Sequence, residues 1–423
     1  MMRFKKTLLI GTATIGLASS FTVAPALAAT TTTPKIAVKA AIAVDSSTGQ
    51  ILYHKNTKQT LPIASISKLL TVYIVVQQIQ AGKLKWTDQV KISPAVAKIS
   101  QNSELTNVPL VSGESYSVRE LVNASLVVSA NAAALVLGQK VSGSSANFRK
   151  LMQTTAKQLG IKGAKLYNAA GVTNGLAGGL KLTGVSDDAE NKMSAQGVAL
   201  LASQLLQEMP SITQITKKTN LNFEGTTYEG HNLLLKGQSQ AQPGLNVDGL
   251  KSGTSDAAGG SFVGTATKRG HRIVTVVLHA GNQSPTDPAR YQQTAKLMKY
   301  VYKTFKPVTI AAGTKLKGAS SAEVPNGKQT TVGLRTANIE SVWIPKRDGK
   351  NSVTGSLQLD NGEKTLTAPV VNNVAVGNAY FKVDGTSPTY LPSNSSAISL
   401  TTVNSVDKAN IFVRAWRAIV NWF

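Results

Sequence analysis

The sequence predicts an α+β protein: an antiparallel sheet with helices, then a smaller all-β domain and a C-terminal amphipathic helix. Three observations carry this. Alternating apolar runs lie at both ends of a helical middle section, short β-branched runs with regular turn signals follow Lys306-Pro307, and the last residues repeat apolar side chains at helical spacing.

The first element is a delivery signal. Arg3, Lys5 and Lys6 precede an apolar stretch from Leu8 to Val23, and Ala26-Leu27-Ala28 has the small-x-small form of a cleavage site, so residues 1–28 read as a secretory signal peptide. A transmembrane anchor is the weaker reading, because Gly, Ser and Thr interrupt a run that falls short of the ~20 residues needed to span a bilayer. Residues 29–36 follow as a Thr-rich tether. Ala37–Asp45 and Gln50–His54 then flank Ser46-Ser47-Thr48-Gly49 as a hairpin. Ile66–Ile79 is apolar on nearly every face and stops near Gly82, as a central buried helix does. Arg119–Gly138 and Gln196–Gln207 are further helical patterns, and Gly175–Asp188 reads as loop.

Alternation returns from Gly259 to Gly281 as a second hairpin about Lys268-Arg269-Gly270-His271. Asp287-Pro288 supplies an N-cap and a first-turn proline for a helix through Tyr291, Leu297, Met298, Val301, Tyr302 and Phe305. Residues 37–305 therefore form one domain whose sheet joins its two ends. Residues 306–403 form the all-β domain, with turns at Pro325-Asn326-Gly327, Asp348-Gly349, Asn361-Gly362 and Asp384-Gly385; it is expected to be a spacer or binding module. In residues 404–423, Phe412, Trp416, Ile419 and Phe423 share a stripe opposite Arg414, Arg417 and Asn421, the pattern of a helix lying in a membrane interface. Docking onto the protein's own core or onto a partner is the alternative.

With 423 residues, 42% of them hydrophobic, the chain has enough apolar surface to bury a large core, which disfavours disorder. Lys and Arg total 45 against 21 acidic residues, a formal net charge of +24. Cleavage after Ala28 removes three of those positive charges and leaves +21, so the expected counter-charges are wall polymers and anionic lipid surfaces, not nucleic acid. Cysteine is absent, which excludes disulfides, thiolate metal sites and a cysteine nucleophile. No metal or cofactor is expected.

The chemistry gathers in three segments. Ser65-Ile66-Ser67-Lys68 stands where an extended segment meets the buried helix; residues three apart share a helix face, so hydroxyl and amine can meet, and helix-start N–H groups suit a developing oxyanion. Ser129-Ala130-Asn131 offers a hydroxyl and a carboxamide within one turn. Lys251-Ser252-Gly253-Thr254 places an ammonium, hydroxyls and a glycine at the start of a strand. The order and spacing of the three segments and the apolar surroundings of Lys68 argue for one site.

Ser-x-x-Lys, Ser-x-Asn and Lys-Ser-Gly in this order resemble the motifs of penicillin-binding proteins and class A β-lactamases. The strings from Pro62 to Lys68 and from Val247 to Thr254 are similar to the low-molecular-mass, serine-type D-alanyl-D-alanine carboxypeptidases in particular, and Asn168-Ala169-Ala170-Gly171-Val172 is similar to that family's Asn-Pro-x-Gly-Leu segment without the proline. The resemblance covers residues 37–305 and, more loosely, the β domain and the C-terminal tail. Ser252 replaces the commoner Thr, and Ala130 fills a variable position.

The resemblance implies a β-lactamase/transpeptidase-like fold and an enzyme that removes the terminal D-alanine from peptidoglycan stem pentapeptides. It implies Ser65 as nucleophile and acyl carrier, Lys68 as general base and Ser129 as proton relay to the leaving amine. It implies Asn131 on the substrate amide, Lys251, Ser252, Gly253 and Thr254 as substrate-binding residues, and the N–H groups of Ser65 and Thr254 as oxyanion hole. It implies β-lactams as slow acylating inhibitors and a C-terminal anchor, residues 408–423, on an anionic membrane surface at the outer face of the cytoplasmic membrane. No Glu-x-x-Leu-Asn segment is present, which disfavours rapid β-lactam hydrolysis. The alternatives are a DD-endopeptidase or weak transpeptidase on the same site, or a wall-binding protein with a dead site. A Ser-His-Asp triad is disfavoured, because no Gly-x-Ser-x-Gly elbow accompanies His54, His231, His271 or His279. Asp187-Asp188-Ala189-Glu190 reads as a solvated loop.

Overall fold

The computed structural model describes residues 33–281, 284, 287–347, 352–392 and 394–420. The expected signal peptide, the first tether residues, the Asp348-Gly349 turn and Asn421 to Phe423 lie outside the described residues. Strands β1 (Val38–Asp45), β2 (Ile51–Lys55), β3 (Val247–Ser255), β4 (Gly259–Lys268) and β5 (His271–Ala280) form one antiparallel sheet in the order β2-β1-β5-β4-β3. Chain start and chain end of the domain are thus adjacent strands, with Ile42 opposite Val276.

Both faces of this sheet are buried, and the period of two sorts the side chains between them. Ile42, Val44, Val274, Val276 and Leu278 belong to one core, packed by helices α1 (Ser67–Gln80) and α4 (Ala195–Glu208). Ala41, Ala43, Phe262, Ile273 and Val277 belong to the other, packed by α5 (Ala289–Thr304). Every residue of α1 from Ser67 to Val76 is buried, which accounts for its unpatterned apolar sequence.

The helical stretch expected over Arg119–Gly138 is broken. Helix α2 (Val118–Asn123) runs into a wider π turn over Ala124–Val128, Ser129 takes a left-handed backbone, and α3 (Asn131–Ser142) begins afresh. Apolar spacing continues through the break, so periodicity does not reveal it. Two other expectations shift. Lys251–Thr254 lies inside β3 instead of at the start of a strand. Asp287 does accept the cap bond from Ala289 N at 2.8 Å, one residue beyond the cap position held by Pro288. The tether gives way by Ile36, which is fully buried while Lys55 Nζ donates to its carbonyl.

The second domain begins at Phe305. A ribbon of β6 (Phe305–Ile310) and β9 (Glu340–Pro345) packs with a five-stranded sheet of β7 (Ser321–Glu323), β8 (Thr331–Thr336), β10 (Val353–Leu359), β11 (Ala375–Val383) and β12 (Ala397–Thr402), ordered β7-β8-β12-β11-β10. The domains meet along the β1–β2 hairpin, where Ile51 N donates to the Thr389 carbonyl at 2.7 Å, Leu391 N donates to the Gly49 carbonyl at 2.9 Å and Leu391 is buried in the catalytic core, and one aromatic side chain adds to this contact. Trp343 leaves the ribbon to enter the core beneath α5, where its indole N–H donates to buried Asp45 at 2.7 Å. Its backbone N–H and carbonyl are met by the Gln50 carboxamide at 2.7 and 2.8 Å. Asp45 Oδ1 meanwhile accepts from the N–H and hydroxyl of both Ser47 and Thr48, so the β1–β2 turn and the domain contact share one carboxylate.

Trp343→Ala is expected to cost about 3–5 kcal/mol through the cavity and the unpaired carboxylate it leaves. Denaturant unfolding measures this; a loss under 1 kcal/mol would show that the indole contributes little to the domain contact.

Candidate active site

Ser65 lies in a single 3-10 turn, Ala64–Ile66, that leads into α1. Ala64 is left-handed (φ 44°), a conformation that costs a non-glycine residue roughly 1–2 kcal/mol. Three residues on, Lys68 is fully buried, and its Nζ lies 2.8 Å from Ser65 Oγ, 2.7 Å from Asn131 Oδ1 and 3.0 Å from the Ala170 carbonyl. Burial first, and the charge of Lys251 second, push its pKa well below the usual lysine value. A neutral amine has two N–H donors and one lone pair. Asn131 and Ala170 offer only acceptors, so they take the donors and the lone pair faces the Ser65 hydroxyl.

Each acceptor is itself fixed. Asn131 opens α3 just after the left-handed Ser129 (φ 69°), and both its N–H and its carboxamide N–H donate to the Thr106 carbonyl, at 3.0 and 2.9 Å. No side chain of its own caps α3; Asn107 does so from a distant loop, accepting from Ala132 N at 2.8 Å. The Ala170 carbonyl is held by a turn in which Asn168 Oδ1 accepts from the N–H groups of Ala170 and Gly171. Gly171 has φ +78°, and a Cβ there would fall 1.9 Å from the Ala64 carbonyl. Only glycine lets this turn press against the start of α1.

Strand β3 is one edge of the sheet, opposite the β2 edge. Lys251 pairs with Val263, which faces the α1 side, so the Lys251 ammonium lies on the same side as Lys68. It is buried, and burial together with Arg290 brings its pKa down to about 7. Gly253 carries the strand past the Ser65 turn: a Cβ on it would stand 2.6 Å from the Ile63 carbonyl. Ser252 is opposite Phe262 on the α5 face and hydrogen-bonds the Tyr291 phenol, so it faces away from Lys251. Thr254 shares that face, and its hydroxyl accepts from the guanidinium of Arg290.

The structure therefore gathers Ser65, Lys68, Asn131, Lys251 and Gly253, places Ser129 at the strained break beside them, turns the Ser252 and Thr254 side chains to the other face of the strand, and links Thr254 to the cluster through Arg290, whose charge reaches Lys251 and His231. It also adds residues that the sequence reading did not single out. Arg290 is 2% exposed, with Nη1 also on the Gly253 carbonyl at 3.2 Å and Nη2 on Ser284 O at 2.9 Å. His231, set aside in the sequence, comes within range of Lys251, Lys68 and Arg290; burial, then those charges, hold its pKa down to about 4. Glu190, expected in a solvated loop with the exposed Asp187 and Asp188, is instead buried and accepts from Ser255 Oγ at 2.8 Å. The only available signal for these residues was charge in a basic chain, too common to select them.

Fold and cluster define a class: the serine enzymes of the transpeptidase-like fold, carrying a Ser-x-x-Lys helix against the edge strand of a sheet buried on both faces. Within it, the family described as D-alanyl-D-alanine carboxypeptidase matches residues 27–282, and the C-terminal domain of penicillin-binding protein 5 matches residues 302–407. D-alanyl-D-alanine carboxypeptidase DacC of Escherichia coli (strain K12) is 30% identical over 401 residues, covering 92% of this chain and 90% of that protein. DacF of Bacillus subtilis (strain 168) is 26% identical, covering 82% of each. A solved structure of a peptidoglycan synthesis regulatory factor from Streptococcus pneumoniae aligns with TM-score 0.73 and 35% identity, covering 88% of this chain and all of that one. Penicillin binding protein 5 from Haemophilus influenzae aligns with TM-score 0.70 and 25% identity, covering 89% and 99%. The chain belongs to the D-alanyl-D-alanine carboxypeptidase family.

The depressed lysines fix a pH dependence of stability. Lys251 holds its proton less firmly folded (about 7) than unfolded (10.5), so between those values the unfolded state binds more protons and stability rises with pH. Each such lysine adds up to about 1.4 kcal/mol per pH unit in that window. Urea midpoints from pH 7 to 10 are expected to climb less steeply in Lys251→Met than in the wild type; parallel curves would contradict the assignment.

Proposed function

We propose that Ser65 is the nucleophile of a serine D-Ala-D-Ala carboxypeptidase that trims peptidoglycan stem peptides, with neutral Lys68 as its general base. The observation that carries this is the fully buried Lys68 amine, 2.8 Å from Ser65 Oγ, with its other neighbours acceptors only. The amine takes the Ser65 proton as Oγ attacks the carbonyl of the terminal D-Ala-D-Ala bond. Developing negative charge on that oxygen is met by the backbone N–H groups of Ser65 and Thr254, a pairing supported by the close passage of Gly253 along the Ser65 turn. Ser129 hands the proton to the departing D-alanine, and water then resolves the acyl-enzyme.

Recognition of the terminal carboxylate falls to the Thr254 hydroxyl with Arg290, whose planar fork stays charged where Lys251 titrates. Lys251 contributes chiefly through its field, which disfavours a second positive charge on Lys68. Asn131 has its carbonyl oxygen on Lys68 and one N–H on Thr106, so it positions the base and has one N–H left for the substrate amide. His231 stays neutral at physiological pH and carries no charge to this site.

β-Lactams acylate the same serine. Penicillin-Binding Protein D2 from Listeria monocytogenes, 28% identical to this chain with TM-score 0.53, is known in a cefotaxime-bound form. Ser65→Ala is expected to lower D-alanine release from a soluble D-Ala-D-Ala peptide by at least 10³-fold and to abolish labelling by fluorescent penicillin. Retained labelling would move the nucleophile elsewhere. Loss of label with release unchanged would separate penicillin binding from the reaction.

The C-terminal helix α6 (Ile411–Val420) is the membrane contact of an exported enzyme in this reading. Asn410 caps it, accepting from Val413 N, and Arg417 donates to the Gly327 carbonyl at 2.7 Å, so its polar side rests on the β domain. Its other side is open, Phe412 being 82% and Trp416 67% exposed. Among the described residues no helix is long and apolar enough to cross a bilayer, so α6 lies in the interface. Deleting residues 411–423 is expected to shift the protein from membrane to soluble fraction with peptide hydrolysis unchanged; persistent membrane association would refute the anchor.

A further inference from the structure

Away from the active site, four cations converge where the two domains meet. Lys268 and Arg269 form the tip of the β4–β5 hairpin, while Lys306 lies in β6 and Lys346 just beyond β9. Lys306 pairs with Ile344, and Lys346 N donates to the Thr304 carbonyl at 2.7 Å. The two lysines therefore stand diagonally on one face of the ribbon, on the order of 7–8 Å apart. Rings lock the hairpin to the ribbon: His271 meets Trp343 edge-on at 5.9 Å, Tyr302 lies 6.2 Å from Trp343, and Lys268 Nζ stands 5.4 Å from the centre of the Tyr302 ring. Together with Phe305 and Pro307 these residues enclose a cavity of about 100 Å³.

Like charges held this close repel unless an anion joins them. The ion pairs found among the described residues are Lys181–Asp187, Arg272–Asp248, Lys328–Asp407 and Arg347–Asp384, and none includes a member of the cluster. All four cations are exposed and reachable from solvent. Partial burial, and then the charges of Lys268, Arg269 and Lys306, lower the pKa of Lys346, as expected where positive charge is uncompensated. The cavity is well below the ~300 Å³ at which small-molecule pockets begin, so it takes one anionic group and leaves the rest of the ligand outside. Three ammonium groups and a guanidinium fork suit a tetrahedral phosphate.

We propose that this junction, formed by Lys268, Arg269, Lys306 and Lys346 over Tyr302 and Phe305, is a phosphate site through which the protein holds a polyanion while its active site works on peptide. The test compares the full mature chain with Lys268→Gln/Arg269→Gln/Lys306→Gln, which keeps the bond from Lys346 Nζ to the Tyr302 carbonyl. A charge-matched control carries Lys58→Gln/Lys98→Gln/Lys157→Gln, three exposed lysines elsewhere. The probe is labelled inorganic polyphosphate, titrated at low and moderate salt, with thermal melting as the check on folding.

The junction variant is expected to lose tenfold or more in affinity, and its dependence of log K on log salt to flatten by roughly 2–3, while the control stays near wild type. Equal weakening in both variants would reduce the effect to net charge and overturn the proposal, as would wild-type binding by a folded junction variant. Vesicles containing phosphatidylglycerol separate the sources. Loss of polyphosphate binding with vesicle binding retained assigns the site to a soluble phosphate polymer, and parallel loss extends it to lipid headgroups.

Discussion

A lysine amine with no access to water organises the catalytic domain. A polar nitrogen cannot be left in an apolar interior without partners, and Lys68 has one from each of three separate segments: the Ser65 hydroxyl of its own turn, the Asn131 carboxamide oxygen at the start of α3 and the Ala170 carbonyl of the Asn168–Gly171 turn. Those segments are held by devices with no other evident purpose. Asn107 caps α3 from a distant loop, Thr106 takes two bonds from Asn131, and Gly171 permits an approach to Ala64 that a Cβ would block. The left-handed residues Ala64 and Ser129 lie beside the reactive groups, and the packing around them keeps these conformations in place.

The second constraint is electrostatic. Lys68, Lys251 and Arg290 bring three basic groups together in a region of low dielectric, and the site accommodates them by degrees of protonation. Arg290 keeps its charge, with carbonyl and hydroxyl oxygens around it; Lys251 is poised near neutrality; Lys68 lies well below its usual value. Such a gradient suits a substrate that ends in a carboxylate. In the proposed reaction the fixed charge of Arg290 would meet that anion, while the Lys68 amine stands 2.8 Å from the Ser65 hydroxyl.

Much of this was legible in the sequence because the signals were periodic or compositional. The hairpins at Asp45–Ile51 and Lys268–His271, the all-apolar α1 and the change of texture beyond Lys306-Pro307 follow from spacing and turn residues. The Ser65–Lys68 contact follows from helix geometry. What stayed hidden depended on chain reversal. The π turn before Ser129 preserves the apolar rhythm of a continuous helix, and Ser252 points away from Lys251 because the segment is strand interior, where neighbours alternate. Glu190 looked solvated among Asp187 and Asp188, yet its place was set by Ser255, 65 residues away.

The positive charge of the chain now divides into two kinds. Near Ser65 it is buried and partly surrendered, because solvent is excluded and acceptors are arranged around each nitrogen. At the domain junction it is exposed and unmatched among the described residues. Exposed cations cost little one by one, but the ring contacts that bind the β4–β5 tip to the ribbon also fix the spacing of four of them. Trp343, which contacts the catalytic domain through its indole on Asp45 and its backbone on Gln50, is also packed against that tip through His271. Trp343 thus serves both the domain contact, alongside the pairing of Thr389–Leu391 with the β1–β2 hairpin, and the packing of the basic cluster, so the seat of the β domain also sets where a bound anion would lie relative to the catalytic sheet.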